Sequence, residues 1–326
     1  MLFRFLLLLC LSSQLCAYTF PDQETLTRYY RGKNVLVTGG YGFIGSHITE
    51  QLVALGAHVT VFDKRITNNL DHVDHTALKI VQGTIADAQL CLQATQDIDI
   101  IFHLAAFVSV PLSMEQPRNC FEDNVQGTFN LLEAARINGV KQFILSSTSA
   151  AYGTKNGACS EDMLCSPESP YGFSKLIDEL LCKQYNTCYG LSTLCLRYFN
   201  VYGERQNPHA AYAAVFARFN YHMERDEAVT IFGDGQQTRD FVTVQDVALC
   251  NLSLALLPQE YLNGQVINVG SGSSINVHEV FRLVKQNYPD YDHEPVYAAA
   301  RSGDVKDTAA RCDKLVELLA IARDNL

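Results

Sequence analysis

The chain is 326 residues long, with 48% hydrophobic residues, 18% charged residues and a net charge of −10. This length is enough to enclose a large core, and the composition is typical of a globular protein in water. The negative charge argues against a nucleic-acid partner, which is bound through phosphate neutralisation, whereas a few converging arginines could still bind a small anion. The eleven cysteines include no C-x-x-C pair, so buried free thiols are favoured over disulfides or a metal site.

Residues 1–17 form the first distinct segment. Arg4 precedes a short apolar run and several small residues, a pattern that resembles a secretory signal peptide. The run is too short for a typical transmembrane helix. A secretory or membrane-associated location is therefore one expectation, to be weighed against the ligands that the rest of the sequence indicates.

Short β-branched apolar runs alternate with helical stretches from Asn34 onward. The apolar runs are NVLVTGG, AHVTVFD, IDIIFHLAA, KQFILSS and LSTLCLRYFN. The helical stretches include residues 42–56 and the segment NVQGTFNLLEAARING. This alternation predicts βαβ units and an α/β fold of the Rossmann type, with a doubly wound parallel sheet.

The pattern changes after Tyr202, where the elements become shorter and Gly, Asn and Asp become more frequent. We interpret this part as a smaller α/β C-terminal lobe that crosses back to the first body. The predicted division is a first domain over residues 33–200 and a lobe over residues 201–326, partly interleaved with it.

Three glycines, Gly39, Gly42 and Gly45, follow the first predicted strand with the spacing G-x-x-G-x-x-G. Glycines at such a turn allow a tight bend and let backbone N–H groups approach a pyrophosphate at a helix N-terminus. Asp63 ends the second predicted strand, about twenty residues on, where a carboxylate accepts hydrogen bonds from ribose hydroxyls and repels a 2′-phosphate. The pattern predicts dinucleotide binding and favours NAD over NADP, although Lys64 beside the acid would attract a phosphate.

Tyr171 and Lys175 are four residues apart, a spacing that places both on one face of a helix. A neighbouring ammonium favours the phenolate, which suits a tyrosine to acid–base chemistry near neutral pH. An accidental surface pair would have the same spacing. The hydroxyl-rich segment SSTSAAYG, residues 146–153, favours the catalytic interpretation, because its hydroxyls follow a predicted strand and could relay a substrate proton to Tyr171.

The motifs TGGYGFIGSH, HLAA, NVQGT, SSTSAAYG, YGFSK, RYFNVYG, TRDF and RSGDV occur in this order between Asn34 and about Lys314. On these motifs the chain resembles the extended short-chain dehydrogenases/reductases, the family of NAD-dependent nucleotide-sugar epimerases and dehydratases. The resemblance implies that Tyr171 is the general base, that Lys175 holds the nicotinamide ribose and tunes Tyr171, and that Thr148 is the hydroxyl partner. It also implies an NAD site made by Gly39, Gly42, Phe43, Ile44, Gly45, Asp63, Lys64, Thr84, Ile85, Leu104, Ala105, Ala106, Asn124, Tyr171, Lys175 and Phe199.

The turn beside the active hydroxyl helps to distinguish between the reactions that the family catalyses. By resemblance, dehydratases of the family carry an Asp-Glu pair there and decarboxylases carry an acid, whereas this chain has Ser149-Ala150. Elimination without a positioned acid and base has no proton path. The favoured interpretation is reversible oxidation at C4 of a UDP-hexose, similar to the 4-epimerases of UDP-N-acetylglucosamine, of its uronic acid or of UDP-glucose. A decarboxylase, dehydratase or reductase of the family, and a catalytically silent NAD-binding sensor or scaffold, remain the alternatives.

The segment NVYGERQNPHAAYAAVFARF resembles the subgroup that acts on UDP-N-acetylated hexosamines or their uronic acids. The substrate site implied by this resemblance comprises Ser147, Thr148, Asn200, Phe232, Arg239, Arg301, Asp304 and Thr308. Arginine suits a diphosphate because its guanidinium donates in pairs, and for Arg239 a structural salt bridge to Asp240 is the alternative. Thr308 matches a gate beside the sugar, where a small side chain would leave room for an acetamido group.

A homodimer is also implied by the resemblance, through helices that start near Arg118 and Tyr171. Leu176, Leu180 and Leu181 give the second helix an apolar stripe, which core packing would explain equally well. Because NAD and UDP-sugars are made and kept in the cytoplasm, a cytoplasmic location is favoured over a secretory one.

Overall fold

The computed structural model describes residues 18–208, 215–300 and 307–324. Its strands are β1 Asn34–Thr38, β2 His58–Asp63, β3 Leu78–Gln82, β4 Ile100–His103, β5 Gln142–Thr148, β6 Ser192–Tyr198, β7 Asn200–Tyr202, β8 Thr230–Phe232, β9 Thr238–Thr243, β10 Asn263–Val269, β11 Ser274–Asn276 and β12 Val296–Ala298. Its α-helices are α1 Gln23–Tyr30, α2 Phe43–Ala54, α3 Ala88–Ala94, α4 Val110–Glu115, α5 Pro117–Phe121, α6 Gly127–Ile137, α7 Pro170–Tyr189, α8 Val215–Glu224, α9 Val244–Leu254, α10 Val277–Lys285 and α11 Asp313–Asp324. A π-helical turn, Glu122–Gln126, leads into α6.

The central layer is a seven-stranded sheet with the order β3-β2-β1-β4-β5-β6-β10. All neighbouring strands in it are parallel, which confirms the predicted doubly wound α/β fold. The strand order reverses between β1 and β4, because β2 and β3 lie on one side of this pair and β5, β6 and β10 lie on the other. In such sheets a ligand crevice forms at the carboxyl ends of the strands beside the reversal.

Buried side chains alternate between the two faces of the sheet. Val35 and Val37 of β1 contact a cluster formed with α1, α2, α9 and α11, whereas Leu36 between them contacts a cluster formed with α3, α6 and α7. Both faces of the central strands are therefore covered, and this is why those strands have largely apolar sequences, whereas the edge strand β3 is mostly exposed.

Helix α2 is slightly shorter than the predicted helix over residues 42–56. Gly42 is its N-cap, Leu55 is its C-cap, and Gly56 follows with a φ of +80°. A left-handed glycine after the last turn ends a helix at little steric cost. The helix thus lies where it was predicted. The predicted range is longer because it included the residues that cap and end the helix.

The C-terminal lobe contains a three-stranded sheet of β7, β9 and β11 and a parallel pair of β8 and β12. Its core is aromatic, with Tyr202 stacked on Phe216 and both rings near Phe241. Strand β10 leaves this lobe to pair with β6, and α9 and α11 pack with α2 against the main sheet. The chain therefore returns to the main sheet after these elements, while the predicted division into two interleaved domains at residue 200 stays a prediction.

Within the described ranges, none of the helices is both long enough and apolar enough to cross a membrane. Residues 1–17, which resemble a signal peptide, lie outside the described residues.

Candidate active site

The glycine turn after β1 packs directly against the turn that follows β4. Gly39 has a φ of +69°, and a Cβ built on it would lie 2.8 Å from the backbone nitrogen of Ala105. A Cβ on Gly45 would lie 2.2 Å from the carbonyl oxygen of Gly39. Both positions therefore require glycine for steric reasons. Gly42 is exposed, and among the described atoms a Cβ there would meet only the Gly39 carbonyl oxygen, at 3.0 Å.

The N-terminus of α2 faces this turn. No side chain of the described residues caps the helix, and no acidic residue lies in its first turn. The first N–H groups of an α-helix have no acceptor within the helix, so those of Phe43 and Ile44 remain available to an anion. A bare, glycine-lined helix start of this kind fits a dinucleotide pyrophosphate.

Asp63 lies at the carboxyl end of β2, next to the glycine turn. Its two carboxylate oxygens accept hydrogen bonds from the backbone N–H groups of Tyr41 and Arg65, each at 3.0 Å. These bonds orient the carboxylate and leave further lone pairs for ribose hydroxyls. Lys64 pairs with Asp123, so its ammonium already has an anionic partner.

The turn after β4 is held to β1 by Thr38. The Thr38 hydroxyl accepts from the backbone N–H groups of Leu104 and Ala105, each at 3.2 Å. Leu104, Ala105 and Ala106 are half-buried beside the glycine turn, where they were predicted to line the cofactor. The glycine turn and the turn Leu104–Ala106 thus lie on either side of the reversal point of the sheet.

Asn124 is completely buried in the π-helical turn. Its side chain accepts from the backbone N–H of Phe107 at 2.6 Å and donates to the Ser174 hydroxyl at 2.8 Å. Asn124 therefore fixes the segment after β4 to α7, and this anchoring role was not anticipated from the sequence. Its direct contact with the cofactor stays a prediction.

The remaining predicted cofactor residues lie at the same edge of the sheet. The Thr84 hydroxyl accepts from the backbone N–H of Ala86 at 3.2 Å, and the Ile85 side chain is buried. Phe199 is also buried, and its N–H donates to the Val269 carbonyl at 2.9 Å. Any contact that Ile85 and Phe199 make with a ligand would come from their backbone or from the small exposed part of each side chain.

The three predicted catalytic side chains come together between β5 and α7. Thr148 is the last residue of β5, and its hydroxyl lies near the phenol of Tyr171, where it acts to lower the pKa of that phenol. Tyr171 lies in the first turn of α7, which begins at Pro170 and has Ser169 as its N-cap. Lys175 lies one turn later on the same face and is only 2% exposed. Helical spacing and the end of one strand thus bring two separated motifs into one cluster.

Neighbouring groups in this cluster oppose the effect of burial on the pKa values of Tyr171 and Lys175. Burial raises the pKa of Tyr171, while the Lys175 ammonium and the Thr148 hydroxyl act to lower it. For Lys175 burial alone would lower the pKa, but the Asp178 carboxylate and Tyr171 outweigh it and raise the pKa above its usual range. Lys175 is therefore positively charged at neutral pH and is available to stabilise a phenolate.

Beneath the cluster lies a buried ion pair that the sequence did not reveal. The Arg197 guanidinium donates to both oxygens of Glu179, at 2.8 Å and 2.6 Å. Ser147 donates its hydroxyl to the same carboxylate and is 3% exposed. The Ser147 hydroxyl thus already has a buried partner. Its predicted contact with substrate stays a prediction, and this bond does not favour it.

The predicted substrate residues of the C-terminal lobe are partly brought together. Asn200 donates its side-chain amide to the backbone oxygen of Asp240 at 2.9 Å and to the Thr308 hydroxyl at 3.4 Å. Arg239 lies next along β9, and its guanidinium donates to the Thr238 carbonyl at 2.8 Å. Phe232 ends β8 and is half-buried. Arg301 and Asp304 lie outside the described residues.

The Asp240 carboxylate is completely buried. It accepts from the backbone N–H groups of Ser271, Gly272 and Ala310, at 2.6 Å, 3.1 Å and 2.9 Å. These three donors account for its burial without a salt bridge to Arg239. Asp240 joins β9, the loop after β10 and the segment before α11, and this role was missed because its partners are distant in sequence. Among the described residues no group of His, Cys, Asp and Glu could hold a metal ion.

Comparisons with known proteins extend over most of the chain. A family profile described as the NAD dependent epimerase/dehydratase family matches residues 35–270. A putative UDP-glucose 4-epimerase of Methanocaldococcus jannaschii is 38% identical over 274 residues, which cover 83% of this chain and 87% of that protein. A UDP-N-acetyl-alpha-D-glucosaminuronate decarboxylase of Bacillus cytotoxicus is 34% identical over 262 residues, which cover 78% of this chain and 80% of that protein.

Among solved structures, a UDP-N-acetylglucosamine 4-epimerase of Methanobrevibacter ruminantium, in complex with UDP-N-acetylmuramic acid, superposes with a TM-score of 0.83. It is 34% identical in sequence, and the match covers 90% of this chain and 97% of that chain.

Proposed function

Because the chain belongs to the NAD dependent epimerase/dehydratase family, as its motifs predict, we propose that it interconverts the C4 epimers of a UDP-hexose. The family match confirms the predicted NAD dependence. NAD, when bound, supplies a positively charged hydride acceptor that can return the hydride to the sugar. The observation that carries the proposal is the placement of Thr148 beside Tyr171, one helical turn from the buried ammonium of Lys175.

In this proposal Tyr171 moves the proton of the sugar C4 hydroxyl. Thr148 orients that hydroxyl and donates to the phenolate, and Lys175 supplies the positive charge that stabilises it. Since burial raises the pKa of Tyr171, the phenol depends on these neighbours to act as a base. The same phenol returns the proton after the sugar has presented its other face, so one residue serves both directions.

The glycine turn and the start of α2 would hold the pyrophosphate, and Asp63 would accept the adenosine ribose hydroxyls. Free N–H groups at Phe43 and Ile44 and an oriented carboxylate at Asp63 support this assignment. Thr84, Ile85, the turn Leu104–Ala106 and Phe199 would complete the cofactor surface.

Epimerisation is favoured over elimination by the turn that follows Thr148. Ser149, Ala150 and Ala151 form a short 3-10 helix there, with no carboxylate among them. Dehydration needs a positioned acid and base next to the oxidised carbon, and this turn supplies neither. A decarboxylase would use a uronic acid as substrate, and that activity is a separate outcome of the experiment described below.

The C-terminal lobe would bind the UDP group. Asn200, Arg239 and Arg301 would contact the diphosphate, Asp304 the uridine ribose and Phe232 the uracil. A UDP-N-acetylhexosamine is the substrate we favour, because the small side chain of Thr308 lies beside Asn200 and because a similar solved structure is a UDP-N-acetylglucosamine 4-epimerase.

A homodimer is part of the proposal. Helices α6 and α7 carry large apolar side chains that face solvent, with exposed fractions of 43% for Phe129, 48% for Phe173 and 62% for Leu180. Exposed apolar patches of this kind commonly mark protein interfaces. We also place the protein in the cytoplasm, where NAD and UDP-sugars are made, and we divide it at residue 200 into a cofactor-binding domain and a substrate-binding lobe.

Proton NMR of the purified full chain tests the function. The protein is incubated separately with UDP-glucose, UDP-N-acetylglucosamine and the uronic acid of the latter. A new anomeric signal from the galacto epimer would support the proposal and identify the substrate. Release of carbon dioxide from the uronic acid would instead assign decarboxylation.

A further inference from the structure

A second buried ion pair lies directly under the proposed proton carrier. Asp178 is completely buried, and its Oδ2 is 2.9 Å from the Nζ of Lys175, one turn earlier on α7. Its other oxygen, Oδ1, has no hydrogen-bond partner within the described part of the chain. Most of the stabilisation of this carboxylate therefore comes from Lys175, and the two charges depend on each other.

Asp178 also ends a chain of polar groups that runs across the sheet. The Thr128 hydroxyl of α6 approaches the carboxylate and acts to lower its pKa. The Thr128 hydroxyl is also 2.9 Å from Nε2 of His103, whose Nδ1 is 2.7 Å from the Thr38 hydroxyl. Burial, together with Lys175, holds the pKa of His103 well below its usual range, so this imidazole adds no charge. These polar groups therefore lie beside Asp178 without neutralising it.

The other ionisable groups near this pair have partners of their own or are thiols. Glu179 pairs with Arg197, and Asp123 pairs with Lys64. The groups around the pair, taken from β4, α5, the π-helical turn, α7 and β6, are His103, Cys120, Asp123, Tyr171, Glu179, Cys182 and Cys195. Asp178 is thus the anion that acts most directly on Lys175.

We propose that Asp178 is a positioning residue that acts through Lys175: it holds the ammonium below Tyr171 and sets the pH range in which the pair transfers a proton. It touches neither sugar nor cofactor in this role. Lys175 has three N–H donors, of which Asp178 takes one, so the others remain for Tyr171 and the nicotinamide ribose. The kinetic part of this inference rests on the proposed epimerase function, whereas the spectroscopic part does not.

The direction of the effect follows from the sign of the charge. The Asp178 carboxylate raises the pKa of both Lys175 and Tyr171. Removal of one buried anion must then lower both values. In a bell-shaped pH profile Tyr171 sets the acidic limb and Lys175 the alkaline limb. The variant Asp178→Asn, which keeps shape and removes charge, should move both limbs to lower pH by about one pH unit.

The kinetic test compares pH profiles of kcat/KM for the wild type, Asp178→Asn and Asp178→Glu. The glutamate variant restores the charge, so its limbs should stay at the wild-type positions even if its rate is lower. Asp226→Asn is the matched control: Asp226 is an exposed aspartate in a left-handed conformation that asparagine tolerates. If the carboxylate had only a structural role, its removal would lower kcat/KM by the same factor at every pH. That result would overturn the proposal.

The spectroscopic test needs no substrate. The chain contains no tryptophan, so its near-ultraviolet absorbance change with pH comes from tyrosine ionisation. Subtracting the titration of a Tyr171→Phe protein from that of the parent isolates Tyr171. The difference should move to lower pH in the Asp178→Asn background, and an unmoved difference contradicts the proposal even if the enzyme proves to have another activity.

Both tests require folded protein. Asp178→Ser is a second neutral variant, with a smaller side chain, that serves if Asp178→Asn does not fold. A shift in either neutral variant supports the positioning role. If neither variant folds while Asp178→Glu does, Asp178 belongs to the stability of α7 and the proposal is wrong. If the titration shifts as expected but no UDP-sugar reacts, the proposed function fails and the inference about Asp178 stands.

Discussion

Thr148 at the end of β5 lies beside Tyr171 at the start of α7, and its hydroxyl acts to lower the pKa of the Tyr171 phenol. The two residues are separated by a long connection, and the pairing of β5 with β6 and the packing of α7 on β5 hold them in contact. This arrangement places two hydroxyl groups together at the carboxyl edge of the sheet, next to the glycine turn. It is the geometry on which the proposed chemistry depends.

The first prediction concerns this pair of hydroxyls. Tyr171→Phe removes the proton carrier and should lower turnover by at least about 10³-fold, while NAD binding measured by calorimetry stays close to the wild type. Thr148→Val should lower turnover by about 10²-fold, and Thr148→Ser, which keeps the hydroxyl, should retain most of it. A sensor or scaffold would keep its function in Tyr171→Phe, so normal biological activity of that variant contradicts the enzymatic account.

A second prediction links Lys175 to stability. Lys175→Met leaves the Asp178 carboxylate buried without its cation, which should cost about 3–5 kcal/mol in denaturant unfolding at neutral pH. The double variant Lys175→Met, Asp178→Asn should recover at least half of that loss. Recovery of stability without recovery of turnover would separate the structural from the catalytic effect of Lys175.

The pH dependence of that loss has a definite sign. Burial already raises the pKa of Asp178 to about 6 in the presence of Lys175, and removal of the ammonium raises it further. The folded state then binds a proton that the unfolded state releases near its ordinary pKa of about 3.9. The loss in Lys175→Met should therefore be complete above the folded pKa and shrink as the pH falls towards about 4. A loss that is equal at all pH values would contradict a charged Asp178.

The third prediction uses two glycines with similar backbone conformations. Gly32 and Gly39 have φ values of +73° and +69°, but only Gly39 has backbone atoms within contact of an added Cβ. Alanine at either site is strained by about 1–2 kcal/mol. Gly39→Ala must also displace the turn at Ala105, and it should weaken NAD binding by at least about tenfold, or about 1.4 kcal/mol. Equal NAD affinities in the two variants would show that the glycine turn is not the cofactor site.

The fourth prediction concerns the sugar. Thr308→Tyr fills the space beside Asn200 and should lower kcat/KM for UDP-N-acetylglucosamine by more than about tenfold, because a site cannot accept an added acetamido group once its room is taken. Activity on UDP-glucose should survive, and Thr308→Ser serves as the small control. Full activity of Thr308→Tyr on the N-acetylated sugar would remove Thr308 from the specificity site.

A fifth prediction tests the dimer. Leu180→Glu places a charge in the exposed apolar patch of α7 and should convert the protein to a monomer in light scattering after gel filtration. Leu164→Glu changes a leucine that is 86% exposed in the connection before α7, and it should leave the oligomeric state unchanged. A wild-type monomer, or a Leu180→Glu dimer, would show that this helix is not the interface.

The parallel sheet could be predicted because five of its strands, β1, β2, β4, β5 and β6, are short apolar runs that alternate with helical stretches, and this local pattern depends little on distant residues. The edge strands β3 and β10 were not anticipated. The glycine turn could also be predicted from the sequence, since Gly39, Gly42 and Gly45 lie within one strand-to-helix connection. The proximity of Tyr171 and Lys175 followed from helical spacing, and their catalytic role was inferred from the hydroxyl-rich segment at residues 146–153 and the family motifs. In these cases the information lies within a few neighbouring residues.

Asp178 could not be predicted in the same way. Its spacing of three residues from Lys175 is that of an ordinary surface ion pair, and only the packing of α7 against β5, β6 and α6 buries it. Glu179 and Arg197 lie on a helix and a strand that meet only in the folded protein, and the partners of Asp240 come from distant segments. Asn124 was expected at the cofactor from its motif, yet its amide is used to anchor the segment after β4. Such roles depend on long-range packing, which a motif does not record.

The central claim is that the sugar is oxidised and reduced at C4 within one site. The most direct test uses UDP-glucose and UDP-N-acetylglucosamine that carry deuterium at C4, incubated with the full chain and followed by NMR and mass spectrometry. We predict that the galacto epimer of at least one of them forms and retains its deuterium at C4. Loss of the deuterium to water during epimerisation, or the absence of any epimer from both sugars, would contradict the account.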